Sequence, residues 1–193
     1  APSNWRAEQS LADALIASGV PGLAGIDTRA LTIRLRNSGT LKGFLCATGA
    51  VTAEEGIARA RGWGGLDNQD YAQKVSTREA YVFDPDDTLS TTWGIADGPL
   101  PEADIPVVAI DFGLKRNILR RLRQEGMRVT VVPARTTADE VLALNPAGVF
   151  LSNGPADPAA LTYAIETIRS LIGKVPMMGI CLGHQLLGWA YGG

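Results

Sequence analysis

Between Pro106 and Ile180 the sequence holds four short apolar runs, each followed by a segment with helical spacing. The runs are Pro106–Asp111 (PVVAID), Arg128–Pro133 (RVTVVP), Gly148–Ser152 (GVFLS) and Val175–Ile180 (VPMMGI). They are continuous rather than alternating, which is the pattern of strands buried on both faces. After the first run, Leu114, Ile118, Leu119 and Leu122 recur at helical spacing and Gly126 supplies a stop. Thr137 and Glu140 form a capping box ahead of Val141, Leu142 and Leu144. Asp157 followed by Pro158 is an N-cap and first helical position. Leu161, Ala164, Ile165, Ile168, Leu171 and Ile172 then mark one helix face that ends at Gly173, and Leu182–Tyr191 reads as a last helix. Strand and helix alternating over such short connections predict an α/β fold, an open parallel sheet with helices on both faces. Ligands of such sheets bind beyond the carboxyl ends of the strands. Two loops stand out there, Asn153–Asp157 and Gly179–Gly183.

The residues ahead of Pro106 are less regular. Leu11–Ser18 has helical spacing, and Asp27 is placed to cap a helix that runs through Arg36 on Leu31, Ile33 and Leu35 and stops at Gly39. Gly43–Thr48 (GFLCAT) reads as a strand. Thr52 and Glu55 form a second capping box before a helix reaching Arg61. From Gly62 to Asp104, Gly, Pro, Asp and Thr dominate, with Tyr81–Phe83 as a candidate strand. Pro and acidic residues cluster between Pro99 and Pro106, which places a domain division there. A chain of 193 residues suffices for one large domain or two small ones.

Composition narrows the function classes. Hydrophobic residues make up 46% and charged residues 20%, which suits a packed core and excludes a disordered chain. The 18 basic and 20 acidic residues leave a net charge of −2, with no basic excess to hold a nucleic-acid backbone. No apolar run approaches the roughly 20 residues of a membrane helix, so neither nucleic acid nor membrane is an expected partner. The opening residues APSNWRAEQS lack the plan of a secretory signal, and without an initiating Met the chain reads as processed or excerpted. Two cysteines, Cys46 and Cys181, are too few for a disulfide scaffold, which makes a reducing, cytoplasmic setting the default.

The sequence G-x-C-x-G at Gly179–Gly183 is the thiol counterpart of the nucleophile elbow. A sharp strand-to-helix turn lifts the nucleophile above the sheet, and only small flanking residues let strand and helix come that close. The first N–H groups of the new helix lack internal partners, so the Leu182 N–H can donate to an oxyanion formed by attack at Cys181. The Gly154 N–H, from the loop ending the preceding strand, would be a second donor. A helix terminus favours a thiolate by about 0.3–1 kcal/mol. Moving a thiol from about 8.5 to about 6.5 requires ~2.7 kcal/mol, so a general base is expected. The sole histidine, His184, sits in the first turn of the elbow helix, where presenting its ring to Cys181 is strained. It is either that base or a polar residue beside the elbow, the base then lying downstream of Gly193.

Other features carry less. Cys46 falls in the apolar run Gly43–Thr48 and reads as core. Asp111-Phe112-Gly113 matches the kinase metal-binding triplet without the Gly-rich loop that should precede it, a chance match. No G-x-G-x-x-G or P-loop follows the first strand of the sheet, and no His/Cys cluster has metal-ligand spacing. Trp5, Trp63, Trp93 and Trp189 are scattered and read as packing residues.

Pro176–Gln185 (PMMGICLGHQ) resembles the nucleophile segment of class I glutamine amidotransferases, and Phe150–Pro158 (FLSNGPADP) resembles their oxyanion loop. Asp111–Arg120 (DFGLKRNILR) is similar to the opening of the glutaminase domain in one branch, the small chains of carbamoyl phosphate synthetases. Gly25–Thr32 (GIDTRALT) is similar to the amino-terminal domain of that branch. The resemblance implies that residues 1–104 are the carboxy-terminal portion of a smaller α+β amino-terminal domain plus a linker, and 105–193 the first half of the glutaminase domain.

The resemblance also implies an activity: glutamine is hydrolysed to glutamate and ammonia through a Cys thioester. The ammonia passes to a large synthetase chain that makes carbamoyl phosphate for the arginine and pyrimidine routes. Carried over by position, Cys181 is the nucleophile, Gly154 and Leu182 supply oxyanion N–H groups, and Gln185 contacts the substrate. Ala156 stands in the same loop where the family has Gly, and its Cβ is costly if φ is positive there. His184 belongs to the family motif without being its base; the family's catalytic His and Glu fall beyond Gly193. No cofactor is expected in this chain, ATP and Mg belonging to the large chain, and the 193 residues alone are expected to hydrolyse glutamine poorly. The competing readings are a non-catalytic partner-binding fragment without a complete triad, another Cys-elbow hydrolase acting on an ester or small amide, and a flavodoxin-like nucleotide binder.

Overall fold

The computed structural model describes residues 7–92 and 99–193 and divides into two compact units, one ending at Gly65 and one running from Leu66 to Gly193. Trp5 and Trp93 lie outside the described residues.

The first unit contains α1 (Leu11–Ala17), α2 (Thr28–Ser38) and α3 (Ala53–Gly62). Each starts where the sequence offers a side-chain oxygen to an orphan N–H: Ser10 to Asp13, Asp27 to Ala30, and Thr52 to Glu55. The second half of the Thr52 capping box is not made, because the Glu55 carboxylate pairs with Arg59 one turn on. Gly43–Thr48 forms no strand. An extended segment needs a ladder partner, and the described residues of this unit supply none. Cys46 is consequently not a core residue: it is half-buried, with its sulfur 3.5 Å from the Thr48 hydroxyl. Hydrogen bonds from the Thr48 side chain and backbone lower that thiol to about 7.

The second unit runs α4 (Ala72–Val75), β1 (Tyr81–Val82), α5 (Thr88–Thr91), β2 (Ile105–Asp111), α6 (Arg116–Gln124), β3 (Met127–Pro133), α7 (Ala138–Ala143), β4 (Gly148–Leu151), a 3₁₀ turn (Pro158–Ala160), α8 (Thr162–Leu171), β5 (Met177–Gly179) and α9 (Leu182–Ala190). The five strands form one sheet in the order β1-β3-β2-β4-β5, all parallel except β1. Alternate residues of each strand feed two cores. Val108, Ile110, Val132, Val149 and Leu151 face Val141 of α7, Ile165 and Ile168 of α8, and Leu182 and Leu186 of α9. Val107, Ala109, Val129, Val131 and Phe150 face Leu119 of α6 and Phe83. The fold is therefore the expected α/β sheet with helices on both faces.

Two expectations shift. The strand β5 lies at the sheet edge and is not buried on both faces; Met178 is 57% exposed. The division between compact units falls after Gly65, ahead of the Pro99–Pro106 cluster, because residues 66–92 pack with the second unit. They add β1 to β3, bury Phe83, and place Asp87 against Arg123 of α6 at 2.6 Å. Among the described residues no helix is long and apolar enough to cross a membrane.

The strand order reverses at β2: the chain goes from β2 outward to β3, then returns to β4 on the other side. Ligands of such sheets bind at the carboxyl ends of the strands beside this reversal, where the loops after β2 and β4 meet.

Candidate active site

The elbow is built from β5 and α9. Ile180 N–H donates to the Leu151 carbonyl at 3.1 Å, continuing the β4–β5 ladder one residue past β5. At Cys181 the backbone turns with φ +55° and ψ −113°. This φ is positive, yet the ψ lies far from the left-handed helical well, so the conformation stores roughly 1–3 kcal/mol of strain. Gly183 N–H then donates to the Ser152 carbonyl at 3.0 Å, which pins the start of α9 to the end of β4.

Both flanking glycines are required sterically. A Cβ on Gly179 would lie 2.5 Å from the Gly183 carbonyl, and one on Gly183 would run into the Leu151 carbonyl. The result of this compression is an exposed, unbonded thiol at the crest of the turn. Cys181 is therefore not a buried structural cysteine. The cavities of about 180 to 410 Å³ described in this structure are lined by other residues.

The second loop sits against the elbow. Gly154 packs so closely that a Cβ there would collide with the Phe112 carbonyl and stand 3.0 Å from the Leu182 side chain. Among the described residues, no hydrogen bond engages the Gly154 N–H or the Leu182 N–H. One such N–H thus follows the thiol directly in the chain, and the other belongs to the loop that packs on the Leu182 side chain. Ala156 has a negative φ and its methyl packs on the core below, so the departure from Gly carries no backbone penalty here. Gln185 and His184 are exposed in the first turn of α9. No hydrogen bond joins the His184 ring to Cys181 among the described residues, and His184 is not positioned as the base.

Three parts of the scaffold were not evident from the sequence. Asp111, dismissed as a chance triplet, is a buried turn hub: its carboxylate accepts from Gly113 N–H (2.9 Å), Leu114 N–H (2.8 Å) and Thr77 N–H (2.7 Å). Its one signal was an Asp ending an apolar strand just before a Gly. Ser152, fully buried, accepts from Phe112 N–H at 2.8 Å. A strap from Asn68 to Thr77 borders the loop, the Asn68 N–H donating to Asp157 at 2.9 Å. Nothing in the local pattern of those residues announced it. Among the described residues no group of three or more His, Cys, Asp and Glu is placed to hold a metal ion.

Asp157 carries a pH dependence. The Asn68 N–H and then the Ala159 N–H hold its carboxyl below the usual carboxylate range. A folded-state pKa lowered in this way stabilises the protein above the unfolded value of about 3.9 and loses that contribution as pH falls through the folded value. Asp157→Asn is therefore expected to lower the urea midpoint equally at pH 6 and pH 8, the difference from the parent protein shrinking below about pH 4.

Comparison with known proteins decides between the elbow families. The profile of the glutamine amidotransferase class-I family matches residues 108–193, and that of the carbamoyl-phosphate synthase small chain, CPSase domain, matches residues 1–45. The chain is 50% identical to the carbamoyl phosphate synthase small chain of Pseudomonas putida, over 98% of this chain and 50% of that protein. The small chains of Akkermansia muciniphila and Vibrio cholerae are 47% and 49% identical, over 98% of this chain in both cases and 49% and 50% of their own lengths. Over nearly its whole length the chain is similar to carbamoyl phosphate synthase small chains. It spans about half the length of these curated small-chain relatives. The class-I amidotransferase profile covers β3, β4, β5 and the elbow, in keeping with the α/β sheet, and the small-chain profile covers α1 and α2 of the first unit.

Proposed function

We propose that this chain forms part of a glutaminase subunit that supplies ammonia to a carbamoyl phosphate-synthesising partner. The observation that carries the reading is the exposed Cys181 thiol, held at positive φ on a strand-to-helix turn against which the Gly154 loop packs through Leu182. In the reaction, the Cys181 sulfur bonds to the side-chain carbonyl carbon of glutamine and the carbonyl oxygen becomes an oxyanion. The Gly154 and Leu182 N–H groups donate to it, each such donor contributing roughly 2.7–4 kcal/mol to the transition state. The C–N bond then breaks, and ammonia leaves with the proton taken from the thiol. Water cleaves the thioester to glutamate and restores the thiol. Gln185, on the exposed first turn of α9, is the side chain we assign to the substrate's amino-acid end.

The proton carrier is assigned to a group outside these 193 residues, since among the described residues no hydrogen bond joins the single histidine to the thiol. ATP, and the Mg that accompanies it, are assigned to the large chain that consumes the ammonia, and no cofactor to this one. The arginine and pyrimidine routes and a cytoplasmic location follow from the same reading.

Ammonia release from glutamine by a full-length small chain carrying this segment tests the proposal directly. The 193-residue chain alone is expected to be slower by about 10²–10⁴-fold, the usual contribution of a general base. A full-length protein that releases no ammonia from glutamine, while cleaving esters or small amides, would overturn the reading.

A further inference from the structure

We infer that Ser152 is a positioning residue for the oxyanion donor Gly154, an inference that rests on the glutaminase reading above. A trans peptide is planar, and its C=O and N–H point in opposite directions. The Gly154 N–H therefore shares a plane with the Asn153 carbonyl, and whatever fixes one direction fixes the other. The Ser152 hydroxyl donates to that carbonyl at 2.8 Å. The same oxygen accepts from the Phe112 N–H at 2.8 Å, so the hydroxyl proton is left with one direction in which to point. Ser152 is fully buried, its N–H donates to the Ile110 carbonyl at 3.2 Å, and its own carbonyl accepts from Gly183 N–H at 3.0 Å. One residue thus ties together β2, the loop after β2, the elbow, and the peptide that presents the donor.

The next side chain closes the arrangement. The Asn153 amide brackets the β2–α6 loop, accepting from Lys115 N–H at 3.1 Å and donating to the Gly113 carbonyl at 3.0 Å. Rotation of the 153–154 peptide would have to break the Ser152 bond and strain this bracket together. The donor is consequently aimed before substrate arrives, which is the condition under which such a dipole stabilises a transition state most.

The test uses the full-length small chain in a Cys46→Ser background. Ser152→Ala removes the hydroxyl, and the turnover number for glutamine is expected to fall about 10²-fold, with KM within about threefold of the parent. Alkylation of Cys181 by iodoacetamide forms no oxyanion, and its rate is expected to stay within about twofold. Ser152→Thr, which keeps the hydroxyl, is expected to recover most of the turnover. Turnover that survives Ser152→Ala within about threefold overturns the inference. So does a parallel loss of turnover and alkylation rate, which would mark a displaced elbow and not a misaimed donor. If Ser152→Ala does not fold, Asn153→Ala releases the same peptide from its bracket and is read by the same criteria. A parent protein inactive on glutamine overturns the glutaminase reading itself, an outcome separate from either of these.

Discussion

Replacing Cys181 with Ala in a full-length small chain is expected to reduce glutamine hydrolysis by roughly 10⁴-fold or more, the scale of losing a nucleophile from a concerted site. Binding of glutamine should persist, because the sulfur contributes attack and not recognition. The backbone makes a second, opposite expectation for stability. Cys181 is held at φ +55° and ψ −113°, a conformation open to Gly without penalty and strained for every residue with a Cβ. Cys181→Gly should therefore be more stable than Cys181→Ala by about 1 kcal/mol, although both are inactive. Urea midpoints of the two variants measure this difference. Equal stability would mean that the elbow relaxes in solution to an unstrained turn.

The other large effect is expected at Gly183. A Cβ there runs into the Leu151 carbonyl, and both partners are backbone, so no flexible side chain can yield. Gly183→Ala must push α9 off the end of β4 or break the bond from Gly183 N–H to the Ser152 carbonyl. A loss of about 3 kcal/mol and a fall in turnover of about 10²-fold are expected. Gly188, five residues along the same helix, is the control. A Cβ there meets nothing within 4 Å, and Gly188→Ala should leave turnover intact and stabilise the helix by about 0.5–1 kcal/mol. Similar behaviour of the two variants would show that the elbow is not under steric compression.

The sheet was legible because β2, β3 and β4 are apolar without interruption and the helices between them repeat at the helical period. Thr137 and Asp157 cap where they were expected to, since capping is a local contest between a side-chain oxygen and an orphan N–H. Failures occurred where structure depends on distant partners. Gly43–Thr48 has strand-like residues but no neighbouring strand among the described residues to complete a ladder. Residues 66–92 were placed ahead of the domain division, yet they bury Phe83 and hold the Asp157 loop through Asn68, contacts fixed by residues far away in sequence.

The candidate site divided along the same line. The strand-to-helix turn at Cys181 was readable because an elbow is written in five consecutive residues, Gly179–Gly183. Ser152 and Asp111 were not, since their work is done across the sheet at residues 40 and 34 positions away. The concern over Ala156 could be framed from the sequence alone but resolved only by its φ.

The most direct test follows the sulfur through turnover. Full-length protein in a Cys46→Ser background is mixed with glutamine and quenched in acid within a single turnover. The peptide that contains Cys181 is then weighed by mass spectrometry. The expected result is a γ-glutamyl thioester on Cys181, removed by hydroxylamine and absent from Cys181→Ala. Steady ammonia release with an unmodified Cys181 peptide at every quench time, in a protein whose Cys181→Ala variant still turns over, would contradict the assignment of this thiol as the nucleophile.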